Sequence, residues 1–338
     1  NPLFISYRRS DTTGEAGRLA DSLEHLMGAA CVFRDADDIR AGADFADVLQ
    51  QELAGTQAVI VLIGKRWLSE LKARLERTEP DFVRIEIATA LRLGKTVIPV
   101  LLQGAELPPG DALPDDLRGL VARQAVSLRE EAWAPDTIRL ADAIGDFVLG
   151  TACRQFARWR RELGAGAPAM VSVNLPSRQL LVPGMVQEVE ALLQDNGMRP
   201  AELQIDVADG VDLQQRPVLA VLQALKKLGV RLAVDDFGAG SSSLASLHQL
   251  PVDAVKIDPS FVARAHQVEH HRVLIEATVR VARSREMSVL AEGIETSAQA
   301  TLMARMGCDQ AQGWFFGSAL PAAELARWEA PPLAAATA

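Results

Sequence analysis

The stretch LAVDDFGAGSSSLASLHQLPVDAVKID, residues 232–258, decides the fold of the C-terminal half of the chain. Apolar runs predict one strand at 231–234 and another at 254–257, and carboxylate side chains follow each of them. The same alternation of short apolar runs with amphipathic segments continues on both sides of this stretch. A repeating unit of roughly thirty residues, with one strand and one helix, indicates a closed or nearly closed parallel barrel.

Polar side chains stand at the ends of the predicted strands of this half. The strands are expected at 170–173, 203–207, 231–234, 254–257, 288–291 and 309–313, and the helices at 184–194, 216–228, 268–283 and 297–306. On a parallel barrel the ends of the strands share one rim. The rim residues are Asn174, Asp206, Asp235, Asp236, Lys256, Asp258, Glu292, Glu295 and Gln312. Several carboxylates and one lysine on a common rim are typical of a divalent-metal phosphoesterase.

The N-terminal half alternates in a similar way. We expect strands at 3–7, 31–33, 58–63 and 96–102, and helices at 14–27, 45–53 and 82–93. Strands that are apolar throughout indicate a parallel sheet that is covered by helices on both faces. In such sheets ligands bind beyond the carboxyl ends of the strands. The polar residues that follow the strands are Tyr7, Arg8 and Arg9, residues 34–38, and Trp67.

Composition limits the classes of function. A chain of 338 residues is long enough for two domains, and 49% apolar residues can form buried cores. The net charge of −9 argues against a general nucleic-acid binder, which needs concentrated Lys and Arg. The three cysteines are far apart and fit neither a disulfide framework nor a CxxC metal site, which favours a cytoplasmic location. The apolar runs are too short to span a bilayer, so we expect no membrane association.

Residues 135–163 predict a helical join between the halves. Apolar residues recur there at steps of three or four positions, which is the spacing of one helix face. They are Ile138, Ala141, Ile144, Val148, Ala152, Phe156, Trp159 and Leu163. The segment is therefore one long helix, or two abutting helices with a weak point at Gly145 or Gly150.

Five segments of the N-terminal half carry a specific resemblance. They are FISYRRSD at 4–11, DDIRAGADF at 37–45, VIVLIGKRWL at 59–68, DFVRIEIATAL at 81–91 and VIPVLL at 97–102. In order and spacing they resemble the successive motifs of bacterial TIR domains. The resemblance implies a flavodoxin-like fold and, as in many bacterial members, cleavage of the N-glycosidic bond of NAD⁺.

The position that matches the catalytic glutamate of TIR domains is Glu86. Departure of nicotinamide builds positive charge on the ribose, and a fixed carboxylate stabilises that charge. The substrate-binding residues that the resemblance implies are Tyr7, Arg8, Asp38 and Trp67. The segment 37–45 matches the region through which TIR domains contact each other, so activity is expected to depend on assembly. Alternatively, Glu86 is one more charge on a solvated helix face. Many TIR domains are adaptors that bind partners and cleave nothing, so an adaptor role is also open.

The C-terminal half resembles EAL domains, which are phosphodiesterases and receptors of cyclic di-GMP. The resemblance rests on residues 232–258, VNLPSRQL at 173–180, LAEGIET at 290–296 and GCDQAQGWFFG at 307–317. In that family Asn174, Asp235 and Asp236 would face the metal. Lys256 would lie near the attacking water, and Glu292 and Gln312 would complete the site.

Two departures from the EAL pattern predict that this part does not hydrolyse its ligand. The two initial strands of the family, with the Glu-Ala-Leu signature and its downstream Arg, have no counterpart before residue 152. In QIDVADG, residues 204–210, Asp206 and Asp209 stand where the family has glutamates. Shortening a carboxylate side chain by roughly 1.5 Å exceeds the tolerance of metal–ligand distances. We therefore expect no metal there.

What remains of the rim is expected to bind a cyclic dinucleotide, unless its residues are inherited relics. The candidate ligand-binding residues are Asn174, Asp235, Asp236, Gly238, Lys256, Glu292 and Gln312. The missing strands also leave sheet edges exposed, which favours self-association. The interpretation is a TIR domain at 1–130, a connecting helix at 131–163, a truncated EAL-like incomplete barrel at 164–330 and a disordered tail at 331–338.

The resulting hypothesis is a cytoplasmic NAD⁺ hydrolase without a cofactor, gated by cyclic di-GMP or a related cyclic dinucleotide. The TIR and EAL-like parts would form a homo-oligomer, either a dimer or a filament. The behaviour of the TIR family suggests a role in antiphage defence by abortive infection. One alternative is a TIR adaptor without turnover, and another is an active cyclic di-GMP phosphodiesterase. The sequence leaves open whether NAD⁺ cleavage gives ADP-ribose or a cyclised product.

Overall fold

A computed structural model describes the chain at residues 3–27, 31–34, 58–77, 80–208, 215–238 and 244–318, and at several isolated positions. The isolated positions are 53, 56, 213, 320, 322, 324, 325 and 328. The chain divides into two compact units, Asn1–Val148 and Leu149–Ala338. Asp38, Asp209, the predicted tail at 331–338 and all but the last residue of the predicted helix at 45–53 lie outside the described residues.

The N-terminal unit contains a parallel sheet of five strands in the order β2-β1-β3-β4-β5. The strands are β1 Leu3–Ser6, β2 Val32–Arg34, β3 Ala58–Ile63, β4 Thr96–Leu102 and β5 Val126–Leu128. This order is that of flavodoxin, so the predicted flavodoxin-like fold is confirmed. In such a sheet the ligand site lies where the strand order reverses, between the carboxyl ends of β1 and β3.

Helices cover both faces of this sheet. They are α1 Arg9–Met27, α2 Trp67–Arg77, α3 Phe82–Arg92 and the first part of α4 Trp133–Leu163, with short 3₁₀ turns at Gly110–Ala112, Asp115–Leu120 and Glu130–Ala132. Every residue of β1 and β3 is buried. Side chains alternate between two apolar clusters: Ile5 packs with Leu19 of α1, whereas Phe4 packs with Trp67 of α2 and Ile87 of α3. The two clusters form the core on either side of the sheet.

Helix α4 is the longest helix that the structure describes. Its 31 residues run without interruption through Gly145 and Gly150. Ile144 is buried in a cluster of the N-terminal unit, and Phe156 is buried within the residues of the C-terminal unit. Across the described positions, no helix combines the length and the apolar character that a bilayer crossing demands.

The C-terminal unit contains six parallel strands that lie in the sheet in chain order, from β6 at one edge to β11 at the other. They are β6 Val171–Asn174, β7 Leu203–Ala208, β8 Arg231–Phe237, β9 Ala254–Ile257, β10 Ser288–Ala291 and β11 Gln310–Ala311. Within the described ranges no pairing joins β6 to β11. The sheet that the described residues form is therefore open, and the predicted incomplete barrel is confirmed.

Helices connect these strands in the manner of a (β/α) barrel. They are α5 Ser177–Leu180, α6 Met185–Asp195, α7 Arg216–Leu228, α8 Leu244–Leu247, α9 Pro259–Arg264, α10 Glu269–Ser284 and α11 Ser297–Met306, with 3₁₀ turns at Gly164–Gly166 and Pro200–Glu202. In α7 the buried residues Val218, Leu222 and Leu225 recur at helical spacing, so one face of the helix supplies the core. Because all strands run parallel, their carboxyl ends meet at one rim.

Candidate functional site

Glu86 lies on the buried face of α3. Its neighbours on that face, Val83, Ile87 and Ala90, are apolar and buried, and Glu86 itself is 0% exposed. The alternative of a charge on a solvated helix face is therefore excluded. Because a carboxyl group is costly to bury, its position among these apolar side chains makes Glu86 a candidate site residue.

Ser6 holds the Glu86 carboxylate. Its hydroxyl oxygen donates a hydrogen bond to Glu86 Oε2 over 2.6 Å, and both residues are fully buried. Ser6 is the last residue of β1, so this contact lies at the carboxyl end of the strand where ligands bind in sheets of this order. Ser6 was not among the predicted site residues, although it immediately precedes Tyr7 and Arg8 in the chain.

Arg8, Trp67 and Asp81 form a second buried cluster. Arg8 Nη2 donates to Asp81 Oδ2 over 2.7 Å, and the two side chains are only 3% and 5% exposed. The Arg8 guanidinium carbon lies 5.4 Å from the centroid of the Trp67 ring, which is a cation–π distance. Tyr7 is also buried. Of the predicted substrate-binding residues, only Asp38 lies outside the described part of the chain.

The ion pair with Asp81 limits which N–H groups of Arg8 are available to a ligand. In this conformation one N–H of its Nη2 is engaged by Asp81, which leaves fewer of the five guanidinium donors for a diphosphate. Arg8 Nε and Trp67 Nε1 are buried donors that find no hydrogen-bond acceptor among the residues that the structure places. Buried donors of this kind are normally satisfied by water or a ligand.

Asp81 also starts the helix that carries Glu86. Its Oδ1 accepts a hydrogen bond from the Arg84 backbone N over 3.2 Å, which is the contact of an N-cap. One carboxylate thus connects the end of β1, through Arg8, to the first turn of α3. The sequence signal was present, since an Asp immediately before an apolar helical run is an N-cap signal.

In the C-terminal unit, Lys256 is the centre of the rim. Its Nζ lies 3.0 Å from Asp206 Oδ2, 3.0 Å from Asp235 Oδ1 and 2.9 Å from Glu292 Oε1. Lys256 is 6% exposed, so the interactions are weakly screened by solvent. Burial lowers the pKa of Lys256, but the charges of the three carboxylates outweigh it and hold this pKa above its usual value.

Asp206 is enclosed by donors from its own sheet. Its Oδ2 accepts from Ser172 Oγ over 2.6 Å as well as from Lys256, and its Oδ1 accepts from Gln204 Nε2 over 2.9 Å. Three of roughly four lone-pair positions on the carboxylate are therefore engaged. This leaves Asp206 poorly suited to bind a metal ion directly.

Glu292 and Gln312 lie on the next strand ends. Gln312 Nε2 donates to Glu292 Oε1 over 2.7 Å. Burial, together with the negative charge of Asp235, raises the pKa of Glu292 from 4.5 to about 7, against the opposing effect of Lys256. Contacts therefore connect five of the predicted rim residues, Asp206, Asp235, Lys256, Glu292 and Gln312, into one network.

Three further residues that were predicted for this region lie outside the network around Lys256. Asn174 is exposed and pairs in register with Asp206. Gly238 has φ of +104°, and a Cβ there would lie 2.8 Å from the Phe261 ring, so glycine is required. Asp258 accepts from the Ser260 backbone N over 2.7 Å as the N-cap of α9, which is a structural role.

The rim also contains oxygen ligands for one cation. One carboxylate oxygen from each of Asp235, Asp236 and Glu292 lies within 4.8 Å of the others. Carboxylate oxygens suit Mg²⁺, Mn²⁺ or Ca²⁺, so these three residues fit a single divalent ion. A pair of metal ions roughly 4 Å apart requires further ligands, and the engaged oxygens of Asp206 do not supply them. The expectation of no metal therefore remains a prediction.

Removal of the Asp81 side chain tests the buried pair. We expect Asp81→Ala to lower the free energy of unfolding by about 3–5 kcal/mol, because Arg8 remains buried without its partner and α3 loses its cap. Asp81→Asn, which still caps the helix, is expected to lose less. The measurement is urea unfolding. As a control, Asp116→Ala breaks the surface pair with Arg84, which is worth about 1 kcal/mol or less. Equal losses in Asp81→Ala and Asp116→Ala would contradict the interpretation.

The raised pKa of Glu292 predicts a pH dependence of stability. Between pH 4.5 and about 7 the folded chain holds a proton that the unfolded chain has released, so this group makes the free energy of unfolding fall as pH rises. The fall amounts to about 3 kcal/mol, and Glu292→Gln should lack it. Urea unfolding in EDTA across this pH range measures the difference. The exposed Glu295→Gln should follow the parent, and parallel curves for the parent and Glu292→Gln would refute the assignment.

Comparison with known proteins identifies both halves. A TIR domain profile matches residues 3–140, and an EAL domain profile matches residues 126–319. An uncharacterized signaling protein of Caulobacter vibrioides is 36% identical over 192 residues, which are 56% of this chain and 23% of that protein. The bifunctional diguanylate cyclase/cyclic di-GMP phosphodiesterase MucR of Pseudomonas aeruginosa is 33% identical over 183 residues, 54% of this chain and 26% of that protein. The chain thus spans about a quarter of the length of these relatives.

Solved structures agree with the EAL match. The PaMucR phosphodiesterase in complex with c-di-GMP has a TM-score of 0.52 and 32% identity, covering 56% of this chain and 76% of that one. The EAL domain of Mycobacterium smegmatis DcpA has a TM-score of 0.54 and 32% identity, covering 57% of this chain and 88% of that one. Since the EAL profile covers more than half of its residues, the chain belongs to the EAL domain family, and it carries a TIR domain at residues 3–140.

Proposed function

We propose that the chain is an NAD⁺ hydrolase whose TIR domain is controlled by a cyclic dinucleotide, cyclic di-GMP in the first place, bound to the EAL domain. The main support is the Glu86 carboxylate, which is fully buried and hydrogen-bonded at the carboxyl end of β1. NAD⁺ depletion in response to a signal would serve abortive infection. Assembly of several copies, as a dimer or a filament, would organise the TIR domains.

The proposed reaction breaks the bond between C1′ of the ribose and the nicotinamide nitrogen. The bonding electron pair leaves with that nitrogen, and nicotinamide departs as a neutral molecule. Water adds through its oxygen to C1′ and releases one proton, which gives ADP-ribose. The Glu86 carboxylate stabilises the positive charge that develops on the ribose, and its burial strengthens this interaction.

The EAL domain is the proposed sensor. The structure of PaMucR is a c-di-GMP complex, which makes this nucleotide the first ligand to test. The network around Lys256 provides a cation beside the strand ends, while Asp235, Asp236 and Glu292 are acidic. If a divalent ion binds these three carboxylates, it would neutralise their charge beside the ligand phosphates. We propose that hydrolysis of the ligand does not occur, because the oxygens of Asp206 are engaged by Ser172, Gln204 and Lys256.

A nicotinamide-release assay tests the enzyme. The purified chain is incubated with NAD⁺, with and without cyclic di-GMP, and its assembly is followed by analytical ultracentrifugation. We expect at least about tenfold faster release with the nucleotide. Glu86→Ala should reduce release by about 10²–10³, the loss typical of a missing electrostatic stabiliser. Glu106→Ala, an exposed glutamate of the same domain, serves as the control. Undiminished release from Glu86→Ala would remove the claim that this site is the enzyme, and no release in any assembled state would favour the adaptor alternative.

Calorimetry tests the sensor. We expect cyclic di-GMP to bind the parent chain in EDTA, and Lys256→Met to weaken binding at least about tenfold, because three buried carboxylates lose their cation. Lys227→Met, at an exposed position of α7, should bind normally. Binding that requires Mg²⁺ or Mn²⁺ would correct the expectation of no metal. Formation of linear pGpG with either ion would instead identify an active phosphodiesterase.

A further inference from the structure

We infer that Ser6 is a positioning residue for Glu86: its hydroxyl fixes the carboxylate in the orientation that N-glycosidic cleavage requires. The inference rests on the proposed NAD⁺ hydrolase activity. None of the sequence motifs assigned a role to this serine. The contact of 2.6 Å between its Oγ and Glu86 Oε2 is a short hydrogen bond.

The position of Ser6 is fixed by the sheet. It is the last residue of β1, is 0% exposed, and pairs in register with Val61 of the central strand β3. Strands β1 and β3 are both buried throughout, so the backbone that carries the hydroxyl is held by packing on both faces. A donor on such a strand is a rigid reference point for a flexible side chain.

Glu86 depends on a donor of this kind. Its side chain has several rotatable bonds, and three of its neighbours on the buried face of α3, Val83, Ile87 and Ala90, are apolar. Apolar neighbours set no preferred direction for a carboxylate. The hydrogen bond from Ser6 to Oε2 does so, and it couples the orientation of the Glu86 side chain to the sheet edge at which the substrate is expected.

Two other hydroxyl groups of the N-terminal unit are buried as that of Ser6 is, and they allow a comparison. Thr12 and Thr137 also have buried hydroxyls, and among the described residues these find no hydrogen-bond partner. Thr137 lies in α4, where it is 1% exposed. Replacement of Thr137 by valine therefore removes a buried hydroxyl of the same unit while leaving Glu86 and Ser6 in contact, and it provides a matched control.

Steady-state kinetics of the full chain with NAD⁺, under the conditions of its highest activity, test the inference. We expect Ser6→Ala to lower kcat about 10- to 100-fold with KM within about twofold, because a misoriented catalytic group slows the chemical step more than it weakens binding. Thermal unfolding should show that Ser6→Ala and the control Thr137→Val are both folded. Thr137→Val should retain the parent kcat. A kcat of Ser6→Ala within twofold of the parent, or a rise in KM alone, would overturn the inference.

A second measurement separates this inference from the proposed activity. If the parent and Glu86→Gln release nicotinamide at the same rate, the proposed function has failed. The contact is then tested by ¹³C NMR of the glutamate carboxyl groups, in which the Glu86 resonance is the one that Glu86→Gln removes. Loss of the hydrogen bond in Ser6→Ala should shift that resonance, and Thr137→Val should not. An unshifted resonance in Ser6→Ala would mean that Ser6 does not hold the carboxylate.

Discussion

Carboxylates persist inside a protein only where donors replace the water that they lose, and both units of this chain are organised by that requirement. In the N-terminal unit, Ser6 donates to Glu86 and Arg8 donates to Asp81. In the C-terminal unit, Lys256 forms ion pairs with three carboxylates, those of Asp206, Asp235 and Glu292. Each donor comes from the end of a strand or from the residues just beyond it. The parallel sheets thus place charged groups at the ends of the strands, and the apolar side chains of the sheet faces surround these groups.

Most of the fold could be predicted from apolar runs. The strands at 58–63 and 96–102 and the helices at 216–228 and 297–306 match the structure at both ends, because each is bounded by polar or turn-forming residues. Strand β5 Val126–Leu128 was missed, since it has only three residues and its middle residue is exposed. Helix α2 Trp67–Arg77 was also missed, although Trp67 and Leu71, which are four positions apart, are buried.

The chemistry of the sites could be predicted only in part. The motifs located Glu86 and Lys256, but the burial of a glutamate on a helix cannot be deduced without knowing which face of the helix packs on the sheet. The hydrogen-bond donors to Asp206 could not be predicted from the sequence either. Ser172 reaches Asp206 because β6 and β7 pair in a particular register, and that register is a property of the assembled sheet. Gln204 lies two residues before Asp206 on the same strand, and its side chain points to the same face. Predicted residues therefore gave the chemical groups, and tertiary packing determined their partners.

Helix α4 has a consequence for how such a chain can be divided. Ile144 is buried within one unit and Phe156 within the other. The helix between them is continuous, although it contains Gly145 and Gly150. A cut at either end of α4 would strip one fragment of side chains that fill its interior, and that fragment would tend to aggregate. Exchange of either module for another must therefore preserve the buried side chains that this helix supplies to each unit.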